Sequence, residues 1–297
     1  TTGSTVNYGG TLDISAASSN KYGIGAMVQQ NSVFNLTSTG KVKIGGTNNI
    51  GFYVKQGGTL QVTGGTVENT KDGTFAYLEN GNLEFKAGTV PNINYLNVSV
   101  SGTSGLIKNS TSIAVGTSGL QATDGAKILN TSIGTINGKV DNAKALVGIG
   151  AGTNITNQGT IKLTGKESVA MYLNDNAIGT STGSVEVGKN SVAYFVKDNG
   201  LINVSGTTKI GKDSSVFYIN KGSINYTGKD IVLPDSTTGV TLIGTNPGVV
   251  AANFNGKSMT VGEKATGIYI TGQATVDNNT IQNLQKINVG KLGNGIY

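Results

Sequence analysis

Residues 185–196 read VEVGKNSVAYFV, and residues 208–219 read TKIGKDSSVFYI. Each holds a short alternating apolar stretch, a Gly-Lys-Asn/Asp-Ser corner, and a second apolar stretch with two aromatics. A chain that rewrites one unit at a short, steady interval is built from a module that stacks on its own copies. The aromatic stretch recurs as NIGFYV (49–54), GTFAYL (73–78), SVAMYL (168–173), TGIYI (266–270) and NGIY (294–297), with a weaker copy, GIGAMV, at 23–28. Aligned on one position, the copies give Met27, Tyr53, Tyr77, Tyr172, Phe195, Tyr218, Tyr269 and Tyr297, with neighbouring clear copies 23 to 28 residues apart. The interval from Tyr77 to Tyr172 is expected to hold about four degraded copies, around GLIKN (105–109), AKILN (126–130), KALVGIG (144–150) and the stretch leading to Tyr172.

The corner recurs as well, as VKIGGTN (42–48), MTVGEKA (259–265) and INVGKLG (287–293). A third apolar stretch follows the aromatic one: GTLQV (58–62), GNLEF (81–85), GLINV (200–204) and GSINY (222–226). Each period of about 24 residues therefore offers three strands of four to six residues, separated by Gly/Asn/Asp/Ser turns. No helical period is present. The pattern predicts an all-β chain folded as a right-handed parallel β-helix of about twelve coils. One coil cannot bury its inner face alone, so the coils must share a continuous core. At an inter-strand spacing of ~4.8 Å, the rod would be roughly 55–60 Å long. A leucine-rich repeat shares the period but needs a Leu/Asn consensus that is absent here.

The repeat assigns roles to its small and polar residues. Gly188 and Gly211 are expected at positive φ, where the chain turns out of a strand. Asn190 and Asp213 are expected to bond the local backbone and to form ladders between coils. Within the aromatic strand, alternation places Val169, Met171 and Leu173 on one face, as it does Ile50, Phe52 and Val54. Ala170 with Tyr172, and Gly51 with Tyr53, then fall on the other. If the first set is core, then Tyr53, Tyr77, Tyr172, Phe195, Tyr218 and Tyr269 form an outward aromatic ladder, broken across 105–150. Such a ladder stabilises neighbouring coils by about 0.2–1 kcal/mol per pair, and it can also serve as a platform for sugar rings or partner side chains.

Irregular coils are expected near 88–150 and 229–256. The three prolines fall in these two stretches, and insertions on a solenoid become surface loops. The candidate loop residues are Tyr95 in the first, and Lys229, Asp230, Asp235 and Asn246 in the second. Composition narrows the chemistry further. The chain of 297 residues has 46 Gly, 33 Asn, no Arg, His, Cys or Trp, and a net charge of +6 carried by lysine. It therefore has no imidazole base, no thiolate and no ordinary zinc, copper or iron–sulfur ligand set. The lysines are spread evenly without a basic stripe, so nucleic acid is not an expected partner. Acidic residues are scattered, with Asp230 and Asp235 the one notable pair, and no calcium-loop motif occurs. Neither catalysis nor a cofactor or metal is expected. No stretch is long and apolar enough to span a membrane. Thr1-Thr2-Gly3-Ser4 opens inside ordinary-looking sequence and Gly295-Ile296-Tyr297 closes in the middle of the recurring pattern, as in a segment cut from a longer chain.

The unit V-x-[IV]-G-[KG]-[ND]-S-[VI]-[AG]-x-Y-[VIL], filled with small variations by 185–196 and 42–54, resembles the passenger repeats of large bacterial type V autotransporter adhesins. The Lys/Asn/Ile-rich, Arg-free character is most similar to the fusobacterial outer-membrane autotransporters. The resemblance covers nearly the whole chain, is strongest over 160–225 and 258–297, and is weak over 98–150. It implies a surface-displayed passenger, anchored to the outer membrane through a C-terminal translocator barrel outside this sequence. Its partners would be host cell-surface receptors, glycans or the surface of another bacterium. Lys-rich strands without Cys suit passage through a narrow pore. The motif residues are structural, so the resemblance transfers no binding residue. A carbohydrate-active β-helix and a non-binding spacer are the competing expectations.

Overall fold

A computed structural model describes residues 3–15, 23–46, 48–70, 72–88, 91–276 and 280–297. The described elements are strands, every strand pair is parallel, and each strand pairs with its counterpart one coil away. The chain winds as a β-solenoid of about twelve coils with three faces. In one coil, Ser184–Val187 forms the leading face, Val192–Lys197 the aromatic face and Leu201–Val204 the trailing face. The next coil repeats them as Thr207–Ile210, Ser215–Asn220 and Ser223–Tyr226. The register is residue for residue: Val187 opposes Ile210, Phe195 opposes Tyr218 and Ile202 opposes Ile224. The order corner, aromatic strand, third strand thus matches the order written in the sequence.

The irregular middle also coils. Between Tyr77 and Tyr172 the aromatic face is continued by Leu96–Ser101, by the second half of Ser112–Thr123 and by Lys144–Ile149. Leu106–Asn109 and Lys127–Asn130 belong to the trailing face, so GLIKN and AKILN are trailing-face strands and not copies of the aromatic one. Strand Ser112–Thr123 runs through the corner and pairs on two faces, and Leu96–Ser101 shifts register against it. Residues 229–256 likewise supply strands Ile231–Leu233, Thr238–Gly244 and the start of Ala252–Val261 rather than one long loop. Thr89 and Val90, at the head of the other proline-bearing stretch, lie outside the described residues.

The core is one file of inward side chains shared by all the coils. Val185, Val187, Tyr194, Val196, Ile202 and Val204 are buried around one coil, and the rings of Phe52, Phe75 and Phe85 pack in contact nearer the N-terminus. Each such side chain contributes about 1.5–3 kcal/mol on burial. Strict alternation fails at the entrance to the aromatic strand. Ala170 and Gly51 are buried, whereas Val169 and Ile50 are half-exposed. The strand enters from a corner, so its first two residues fall out of phase with the rest. The inward residue there is small because the neighbouring backbone passes close. A Cβ on Gly51 would lie 2.6 Å from the Phe75 carbonyl oxygen.

The corner chemistry also differs from expectation. Gly188 and Gly211 do not adopt positive φ; Asn190 (54°) and Asp213 (58°) do. Asn and Asp tolerate the left-handed region better than other side chains. The glycines answer instead to coil spacing, since a Cβ on Gly211 would lie 2.7 Å from the Gly188 carbonyl carbon. The ladder at this corner is built by the following serines. Ser191 Oγ accepts from the Ser168 amide at 3.0 Å, and Ser214 Oγ from the Ser191 amide at 2.9 Å. Asparagine ladders do exist elsewhere: Asn203, Asn225 and Asn255 link on the outer face, and a second ladder runs inside the rod. Asn109 Nδ2 donates to Asn130 Oδ1 at 2.8 Å, and Asn130 Nδ2 donates to Asn157 Oδ1 at 2.8 Å. Asn157 Nδ2 then donates to Ser181 Oγ at 3.3 Å. Unpaired, these amides would be costly in the core; paired along the axis, they are satisfied at each step.

Two outcomes follow. Gly211→Ala lowers stability by about 1–3 kcal/mol through overpacking, whereas Asp213→Gly at the left-handed site changes it by less than about 1 kcal/mol. Asn130→Ala removes the 2.8 Å acceptor of Asn109 Nδ2 and the 2.8 Å donor to Asn157 Oδ1, and costs about 2–4 kcal/mol. Denaturation midpoints followed by circular dichroism check both.

Candidate functional site

The aromatic face carries the candidate site. Its central column is fixed by register as Met27, Tyr53, Tyr77, Ser99, Gln121, Val147, Tyr172, Phe195, Tyr218, Thr241 and Tyr269. Tyr297 stacks on Tyr269 beyond it. The column points outward because its neighbours on the same strands, such as Met171, Leu173, Tyr194 and Val196, fill the interior. Tyr77 is 37% exposed, and Tyr53, Tyr172, Phe195, Tyr218 and Tyr269 are half-buried. These rings therefore lie against one another along the outside of the rod.

The column is three short runs rather than one ladder with one break. Tyr53 and Tyr77 have ring centroids 5.8 Å apart. Tyr172 and Phe195 lie at 5.0 Å, and Phe195 and Tyr218 stack at 4.5 Å with 17° between the planes. Tyr269 and Tyr297 stack at 5.6 Å and 15°. Ser99, Gln121 and Val147 open the first break, which starts one coil earlier than expected. Thr241 opens a second, so Tyr218 and Tyr269 are not neighbours. Thr238–Gly244, TGVTLIG, has no aromatic residue to mark it as a copy, although it preserves the apolar alternation.

Charged groups decorate the first run. Tyr53 OH donates to Glu79 Oε2 at 2.5 Å, and this bond raises the Tyr53 phenol above its usual range. Lys55 Nζ sits 5.6 Å from the centre of the Tyr53 ring. In the central run, Lys197 pairs with Asp198 at 3.2 Å, and that carboxylate raises the ammonium pKa.

The loop candidates are scattered and mostly structural. Tyr95 is exposed at a corner with φ 57°, and its carbonyl accepts from Asn69 Nδ2 at 3.1 Å. Asn246 Nδ2 donates to Asn199 Oδ1 at 2.7 Å and to the Lys221 carbonyl at 3.0 Å, tying coils together. Asp230 Oδ1 accepts from the Ser258 amide at 2.9 Å, and Asp235 Oδ1 from the Glu263 amide at 2.8 Å. Each carboxylate thus bonds the backbone of the following coil, and the two are not brought to a common point. Among the described residues, no group of three or more His, Cys, Asp or Glu side chains is placed to hold a metal ion. No helix among them is long and apolar enough to cross a membrane.

Sequence reasoning missed a cleft on the leading face. Strands Thr207–Ile210 and Ile231–Leu233 occupy successive coils, yet no ladder joins them. A cavity of about 230 Å³ lies between, lined by Ile210, Val216, Tyr226, Lys229 and Val232 among others. The link there is one residue longer than in the preceding coil. Residues 205–212, eight in all, link Val204 to Asp213, whereas residues 227–235, nine in all, link Tyr226 to Ser236. At the head of the longer link, the buried Tyr226 donates its hydroxyl to the Lys229 carbonyl at 2.6 Å. Compared with family models, curated proteins and solved structures, the chain matches none.

Burial pushes the Tyr226 phenol up to about 12, and burial likewise raises that of Tyr194, which also shares hydrogen bonds with Ser181 and Thr208. An unfolded tyrosine loses its proton near 10. The contribution of Tyr226 to stability is therefore complete below pH ~10 and lost as pH rises towards 12. The thermal midpoint is expected to fall across that window, and to fall less steeply in Tyr226→Phe. Melting curves with a parallel absorbance titration of phenolate measure this.

Proposed function

We propose that this chain is part of a surface-displayed bacterial adhesin, a non-catalytic rod that holds binding surfaces away from the cell. In this reading the rod belongs to an autotransporter passenger, anchored to the outer membrane by a translocator barrel outside this sequence. Its partners are protein or glycan receptors on host cells or on another bacterium. The observation that carries the reading is the central aromatic run. Tyr172, Phe195 and Tyr218 stack at 5.0 and 4.5 Å on the outer face of three successive coils, only half-covered by the chain itself. Rigid aromatic surface, ordered in advance, loses little conformational entropy on binding, and aromatic side chains dominate binding energies at protein surfaces. The solenoid also spaces successive sites along one axis, as an extended binding surface requires. The carbohydrate-active alternative draws no support from Asp230 and Asp235, since each is engaged by a backbone amide.

The test is direct binding by the purified chain to panels of mammalian cells, bacterial cells and immobilised glycans. The triple variant Tyr172→Ser, Phe195→Ser, Tyr218→Ser should keep its β-sheet circular dichroism and bind about tenfold or more weakly. Binding equal to the parent chain, or silence of the parent on every panel, would overturn the reading.

A further inference from the structure

At the leading-face cleft the ladder between successive coils is missing, and backbone groups are left unpaired. In a parallel ladder, alternate residues turn both N–H and C=O toward one neighbour. Thr207 and Gly211 donate to the preceding coil, to Gly183 at 3.2 Å and Val187 at 2.9 Å. Thr208 and Ile210 therefore face forward, into the cleft. On the far side, the Gly262 amide donates to the Leu233 carbonyl at 3.1 Å, and Val232 opposes Thr260. Leu233 thus faces the following coil, and Val232 turns its N–H and C=O back into the cleft. Pro234, next along that edge, has no N–H to offer.

The opening is a local bow, not a gap between separate bodies. Just before it, the Thr227 amide donates to the Val204 carbonyl at 2.8 Å; just after it, the Asp213 amide donates to the Ser236 carbonyl at 2.9 Å. A polypeptide strand would need roughly 4.8 Å on each side, which coils tied at both ends do not give. The occupant must be small. The floor is apolar, formed by Ile210, Val216, Ile231 and the Tyr226 ring. Lys209 and Lys229 stand among the lining residues, both exposed, and no ion pair is made by either among the described residues. The nearby anions are engaged elsewhere: Asp230 accepts from the Ser258 amide, and Glu186, which neighbours Lys209 on the preceding coil, pairs with Lys162 at 3.3 Å.

We propose that this cleft is a binding site for a small free organic carboxylate with an apolar body. The hydrocarbon portion rests on Ile210, Val216 and Tyr226, and the carboxylate accepts from the unpaired Thr208, Ile210 or Val232 amides beside the Lys209 and Lys229 ammonium groups. Charge-assisted bonds of this kind are stronger than neutral ones, so the charged acid is preferred to its neutral amide. The site is separate from the aromatic run and stands whether or not that run binds cells.

Titration of the 15N-labelled full chain with 3-phenylpropanoate tests the proposal, with 3-phenylpropanamide as the neutral match. The expected result is saturable shifts of the Thr208, Ile210 and Val232 amides with a millimolar dissociation constant, the scale that about eleven heavy atoms support. The amide should bind about fivefold or more weakly. The double variant Lys209→Ala, Lys229→Ala, altered only at exposed positions, should keep the remaining spectrum and bind acid and amide alike. Absence of saturation up to ~20 mM, far above that scale, overturns the site. So do saturable shifts confined to another surface, or equal affinity of the parent chain for acid and amide.

Discussion

Everything in this molecule depends on the backbone ladder between coils. A single coil has three short strands, each with two bare edges and half an apolar core; it has no stable existence alone. Stacked, the strands find donor and acceptor rows in register one coil away, and buried backbone groups need such partners. The ladder fixes the coil spacing, and spacing then dictates side chains. Where backbones approach closely, as at Gly51 and Gly211, a Cβ would strike the neighbouring coil. Where like residues stand in line, they must suit one another at that single separation.

That requirement has two solutions here, one inside and one outside. Inside, Asn109, Asn130, Asn157 and Ser181 hand a hydrogen bond along the axis, and the buried Tyr194 hydroxyl joins its end and passes on to Thr208. Outside, the rings of Tyr172, Phe195 and Tyr218 lie against one another, the last two stacked face to face. Both exploit repetition: an amide carries a donor and an acceptor, and a ring carries two faces, so each can satisfy a neighbour on either side. The difference is consequence. The inner ladder is complete within the rod and specifies register, whereas the outer one leaves ring edges in water, available to something else.

The amount legible in the sequence follows the same physics. Period, strand order and architecture could be read because apolar alternation and turn residues are local and recur in every coil. The outward aromatic column was legible for the same reason, and Tyr53, Tyr77, Tyr172, Phe195, Tyr218 and Tyr269 all lie on it. What failed depended on contact between coils. Gly188 looks like a turn glycine until the coil beneath it is present, and the neighbouring Asn190 then takes the left-handed conformation instead. The out-of-phase entrance at Val169 and Ala170 reflects the corner, which alternation alone does not encode. Thr241 went unseen because the search followed the aromatic residue, a surface feature, while the fold conserves the inward pair Val240 and Leu242.

A one-residue change in link length has unequal effects on the three faces. Added between Tyr226 and Ser236, it is absorbed on the leading face, because the trailing and aromatic ladders hold register on either side: Val204 still opposes Tyr226, and Ser215 still opposes Thr238. The following coil carries the same longer link, from Phe254 to Lys264, and its leading strand pairs normally with Ile231–Leu233. Link length alone does not open a ladder: residues 158–166, nine in all, precede residues 182–189, eight in all, and their leading strands still pair residue for residue. A solenoid can open its backbone on one face without losing the axis, since two of three ladders remain to carry it. A rod of this kind can thus carry a cavity with unpaired amides in its wall without any long loop.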